Sequence, residues 1–72
     1  MPTPGQLRAA RGMLNLSREQ AAHAAGLNHS TLGKAERGDP TLTRESLAAI
    51  VAAYTARGVV FVGCSGIERR VP

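Results

Sequence analysis

The chain has 72 residues, about half the usual size of one domain, which excludes a second domain, a cofactor fold or a large catalytic cleft. Alanine supplies 12 of the apolar residues, and Tyr54 and Phe61 are the only aromatics, so closely packed helices suit the composition better than a sandwich of bulky strands. Nine Lys and Arg against five Asp and Glu give a net charge of +4, which favours a polyanionic partner, with nucleic acid the leading candidate.

Four segments open on a polar cap and continue at helical period. Thr3, Pro4 and Gln6 read as an N-cap, a proline at the first helical position and a capping-box residue, opening a helix to about Met13 with the apolar stripe Leu7, Ala10, Leu14. Ser17 and Gln20 repeat the capping box and start a second, short helix that Gly26 ends in the left-handed conformation. Asn28 caps a third helix to about Arg37, and Gly38-Asp39-Pro40 stops it. Thr43, with Glu45 in the first turn, starts a fourth helix with the stripe Leu47, Ile50, Val51, Tyr54, which Gly58 closes. Tyr54 is expected in the core with its hydroxyl at the surface, and His23 on the solvated face of the second helix.

Beyond Gly58 the chemistry changes. Val59-Val60-Phe61-Val62, a turn at Gly63-Cys64-Ser65-Gly66 and Ile67 to Val71 read as a β-hairpin. An isolated hairpin is marginal in water and its free edge wants a partner, so Val59, Val60, Phe61, Val62 and Ile67 are expected to form a dimer interface. The other reading is a tail packed loosely on the last helix. The chain is therefore expected to divide into a helical unit over 1–58 and a C-terminal strand or hairpin element over 59–72.

The remaining function classes are narrowed by what the residues lack. A single Cys64 forms no intramolecular disulfide, and with no basic residue within four positions its thiol is expected to be unreactive. His23, His29 and Cys64 lack the spacing of a metal site, so no metal or cofactor is expected. No apolar run approaches membrane-spanning length and the first residues lack signal-peptide character, so a cytoplasmic protein with no membrane partner is expected. No paired nucleophile and base is present, which argues against an enzyme.

The chemistry lies between Ser17 and Gly38. The turn Ala25-Gly26-Leu27-Asn28 supplies a left-turning glycine, an apolar plug and a cap for the next helix, while Ala21 and Ala22 are small enough for two helices to cross tightly. With Leu14-Asn15-Leu16-Ser17-Arg18-Glu19-Gln20-Ala21-Ala22, Ala24 to Leu32 and Ala35-Glu36-Arg37-Gly38, the sequence resembles the Cro/repressor-type (XRE-like) helix-turn-helix regulators across Leu7 to Tyr54. The resemblance implies an all-α, lambda-repressor-like bundle of four or five helices, here followed by the hairpin, that binds double-stranded DNA as a dimer, commonly as a repressor. Asn15 stands where the family often has glycine, Ala35 where a larger aliphatic is common, and Gly33 lies inside the reading helix.

Helical geometry puts His29, Ser30, Gly33 and Lys34 on one face of the third helix, with Leu32, Ala35 and Glu36 opposite. The outward set is the expected base-reading face: Lys34 can donate to guanine O6 and N7, while His29 and Ser30 donate or accept and read less selectively. Gly33 marks either a close approach to DNA or an unconstrained outward position. Phosphates are expected at the helix N-termini, near Ser17, Arg18 and Gln20 on the second helix and Asn28 and Thr31 on the third. The resemblance supports Arg18 and Asn28 in this role and adds Arg37, Thr41, Thr43 and Arg44 on the same side, while Asp39 must point away or cap a backbone group. It also implies an ion pair between Arg11 and Glu36 that orients the reading helix. Two other functions share this bundle: an antitoxin repressing its own operon, and an adaptor contacting another protein.

Overall fold

The computed structural model describes residues 2–63 and 66–70. Four helices, α1 (Pro4–Met13), α2 (Arg18–Ala25), α3 (His29–Arg37) and α4 (Arg44–Thr55), precede an antiparallel hairpin of β1 (Val59–Val62) and β2 (Gly66–Arg69). Cys64, Ser65 and Val71, which the sequence assigns to the turn and second strand, lie outside the described residues.

Each helix opens on the cap that its sequence supplies. Thr3 and Ser17 accept the N–H of Gln6 and Gln20, and those glutamines return a bond to the cap backbone, so both capping boxes are complete. Asn28 and Thr43 cap α3 and α4 by accepting from Thr31 and Ser46. Each such bond satisfies a donor that the first helical turn leaves without an intrahelical acceptor.

The helix ends show where local conformation is demanding. Behind α1, Asn15 takes φ 56°, and the next amide, Leu16 N–H, donates back to the Arg11 carbonyl at 3.1 Å. A left-handed position strains most L side chains and Asn tolerates it better, which accounts for asparagine here. Gly26 ends α2 the same way at φ 70°, with Leu27 N–H returning to Ala22 O at 2.8 Å.

Gly58 departs from the sequence expectation. α4 ends at Thr55 with Ala56 as its cap in ordinary right-handed geometry, so Gly58 does not close the helix. It turns the chain into β1 at φ 92°, and a Cβ there would overlap the Arg70 carbonyl oxygen. Close approach of the returning strand, seen in the Arg70 N–H bond to Gly58 O at 2.6 Å, is what requires glycine.

The core runs through all four helices and the start of β1. Leu7 and Ala10 of α1, Ala21 and Ala22 of α2, Leu32 and Ala35 of α3, Ile50 and Tyr54 of α4 and Val59 are buried together. α2 packs on α3 and α4, and α1 on α3; the alanine pair of α2 permits this crowding. Tyr54 is 0% exposed, and its hydroxyl is buried without a hydrogen-bond partner among the described residues rather than reaching the surface. Burial holds its phenol up at about 12, against a usual value of 10.

The hairpin pairs Val59 with Arg69, Phe61 with Ile67 and Val62 with Gly66. Alternation therefore divides the expected dimer residues: Val59, Phe61 and Ile67 share one face, and Val60 and Val62 share the other. Val59 is 1% exposed and Phe61 packs against the core. This corrects the expected role of Val59: its side chain is consumed by its own chain because it immediately follows the turn out of α4.

A polar clasp fixes the hairpin. Gln6 is 1% exposed, and its Nε2 donates to the carbonyls of Gly66 at 2.9 Å and Gly63 at 3.0 Å, with a longer contact to Val62 at 3.4 Å. Its Oε1 accepts from the Thr3 N–H at 2.8 Å. One side chain thus completes the α1 cap and ties that helix to the hairpin turn, satisfying groups that burial would otherwise leave costly.

Candidate nucleic-acid interface

The arc of α3 that faces away from the core carries the residues singled out by sequence. His29 and Ser30 are exposed, Gly33 and Lys34 are half-buried, and Leu32, Ala35 and Glu36 are buried behind them. At 100° per residue the four outward positions span about 140°. Lys34 sits at one margin of this arc, on the side facing the Asp39 carboxylate.

Glu36 is the electrostatic hub beneath that arc. It is 3% exposed, with Arg11 Nε donating to its Oε2 at 2.6 Å and Arg11 Nη2 to Oε1 at 3.3 Å. Arg18 Nε reaches the same Oε1 at 3.2 Å. The bond to Glu36 is the main cause that raises the Arg11 pKa, ahead of the opposing effect of burial. Arg11 also donates to the Leu16 carbonyl at 3.1 Å, so one guanidinium links α1, the loop behind it and α3. Arg18, expected only at phosphates, is therefore partly structural. Its side chain remains 54% exposed, and its bond to the carboxylate is made through Nε.

The expected phosphate residues fall into two groups. Ser17, Gln20 and Asn28 are exposed at the N-termini of α2 and α3, but their side chains are engaged in capping and leave anions to the first-turn amides. Thr31 is half-buried and gives its N–H to Asn28. Thr43 is occupied by Ser46, and Thr41 donates both its N–H and its hydroxyl to Asp39 Oδ1, at 2.8 and 2.7 Å. Those two bonds lower the Asp39 pKa, and they are how the acid is accommodated: it caps its own turn. Arg37 and Arg44 are exposed, with Arg37 4.0 Å from Asp39.

A concavity of about 470 Å³ opens beside α3, lined by His29, Ser30, Gly33, Glu36 and Arg37 of that helix together with Arg8 and Arg18. Arg8 Nη1 donates to the Glu36 backbone carbonyl. Sequence reasoning missed Arg8 and the buried role of Gln6; the available signal for Arg8 was its three-residue spacing from Arg11, which puts both on one face of α1. Lys34, Thr41, Thr43 and Arg44 do not line this concavity.

Two capped helices joined by a glycine turn, the second exposing a polar arc and tied to α1 through a buried carboxylate, form a recognisable unit. A helix-turn-helix family model matches residues 7–55, most of the chain. The chain belongs to the XRE-type helix-turn-helix family. A comparison with curated proteins finds no significant match. Membership makes this helix-turn-helix chain a DNA-binding transcription regulator, with α3 as its second helix-turn-helix element. No helix among the described residues is long and apolar enough to cross a membrane.

Proposed function

We propose that the chain is a homodimeric, sequence-specific repressor that binds an inverted-repeat operator in the cytoplasm. The observation that carries the reading is the exposed arc of α3, where His29, Ser30 and Lys34 project around Gly33 from a helix anchored through Glu36. These side chains read base edges in the major groove, while the amides and cations around the N-termini of α2 and α3 hold backbone phosphates. The hairpin face bearing Val60 and the 47% exposed Val62 supports association with a second copy. Two copies then place their reading helices about 34 Å apart, one turn of duplex, or at a multiple of that spacing.

Selection of bound duplexes from a random pool, followed by native mass measurement of the complex, tests sequence preference, symmetry and stoichiometry together. The expected product is an inverted repeat bound by two chains. Lys34→Ala and His29→Ala should each lower preference for the selected site over random duplex, by about 1–3 kcal/mol per lost bidentate contact at most. Unchanged preference in both variants refutes the reading face, and one chain on an asymmetric site refutes the dimer.

A further inference from the structure

The concavity lined by α1, α2 and α3 gathers three arginines, Arg8, Arg18 and Arg37, around one carboxylate. Glu36 is the one acid lining it among the described residues, and this carboxylate is already bonded to Arg11 and Arg18. Arg8 and Arg37 add guanidinium groups that neither of these ion pairs uses, with Arg37 in a long, largely exposed contact with Asp39 at 4.0 Å. Arg8 is directed there by its bond to the Glu36 carbonyl, and no carboxylate among the described residues forms an ion pair with it.

Gly33 belongs to the same arrangement. A Cβ at this position would stand 3.0 Å from Arg37 Nη1, so the missing side chain lets Arg37 fold back along α3 toward the concavity. A glycine within a helix costs up to about 1 kcal/mol relative to alanine, and here it coincides with the passage of a cation over the reading helix.

We propose that this concavity is a phosphate seat, in which Arg8 and Arg37, with the outer nitrogens of Arg18, hold one phosphate of the duplex backbone beside the reading helix. This rests on the DNA-binding reading and adds Arg8, on α1, to the interface. Planar guanidinium forks suit phosphate oxygens, and a concavity holding several of them beside bases fixes the register of the protein on the duplex.

The test compares wild type, Arg8→Ala and Arg8→Lys for binding of a short duplex by fluorescence anisotropy between about 50 and 200 mM salt. Loss of one phosphate contact should make the slope of log K against log salt shallower by about 0.9 in Arg8→Ala, with equal weakening on selected and random duplexes. Arg8→Lys should retain most of the slope, since it keeps the charge while losing the fork. An unchanged slope in Arg8→Ala overturns the seat, including the case where only the melting temperature falls, because Arg8 is then a support for α3. Millimolar AMP is the second arm: displacement of duplex from wild type by this phosphate monoester would assign the concavity to a free phosphorylated ligand and overturn the backbone assignment. Failure of wild type to bind any duplex at low salt would sink the DNA-binding reading itself and is distinguishable from every outcome above.

Discussion

Replacing Tyr54 by phenylalanine should stabilise the protein, although Tyr54 is among its most buried side chains. The ring is 0% exposed in the core between α1, α3 and α4, and the hydroxyl has no hydrogen-bond partner among the described residues. Tyr54→Phe keeps the ring burial and removes a polar group whose desolvation costs about 1–3 kcal/mol. A gain of about 1 kcal/mol is expected at neutral pH, raising the melting temperature of a domain this size by roughly 4–8 °C. The phenol also makes an alkaline signature. Its pKa is about 12 when folded and near 10 when unfolded, so the folded state holds the proton more tightly. This contribution is intact below pH 10 and is lost as pH rises toward 12, at about 1.4 kcal/mol per unit of difference, or roughly 3 kcal/mol in all. Urea melts from pH 7 to 12 on both proteins would measure the two effects, with the phenylalanine variant lacking the tyrosine-dependent part of the alkaline loss. Destabilisation at pH 7 would mean that the hydroxyl has a partner, and parallel stability curves would mean that the phenol is not buried as described.

Three further perturbations probe the site and its supports. Glu36→Gln removes the charge between Arg11 and Arg18; because those arginines are 21% and 54% exposed and can rehydrate, the expected loss is about 2 kcal/mol, below the usual cost of breaking a fully buried pair. A thermal melt should fall by roughly 10 °C, and an unchanged midpoint would remove the hub role of this carboxylate. Gly33→Ala should raise helix propensity while displacing Arg37, so melting temperature holds or rises as duplex affinity falls; unaltered affinity would show that the space over Gly33 is incidental. Gln6→Ala should cost about 1–3 kcal/mol and accelerate amide exchange in β1 and β2 before α2 to α4, whereas a uniform change would mean that the hairpin is not held by this side chain.

The four helices and their starts were legible because N-capping is decided within a few residues. Thr3 with Gln6, Ser17 with Gln20, Asn28 and Thr43 each carry the acceptor that a first helical turn lacks, and each caps the helix expected of it. The reading arc was equally accessible, since period alone separates His29, Ser30, Gly33 and Lys34 from Leu32 and Ala35; Glu36, seven residues after His29, falls at the margin of the same arc, and its burial comes from the tertiary packing. Resemblance, rather than period, linked Arg11 to Glu36 across the fold.

What stayed illegible depends on atoms far apart in the chain. Gly58 reads as a helix terminator until Arg70 returns beside it, and Val59 reads as sticky surface until alternation and the bend out of α4 turn it into the core. Tyr54 needed a partner for its hydroxyl that the packed core did not supply, and Gln6 became a clasp only when the hairpin carbonyls arrived. Sequence by itself determined the elements, their caps and the outward arc of α3, because these follow from torsion preferences and hydrogen bonds a few residues long. Only the tertiary structure decided which cations surround Glu36 and which hairpin face remains outside, because side-chain burial and distant charge pairs are set by how the helices cross.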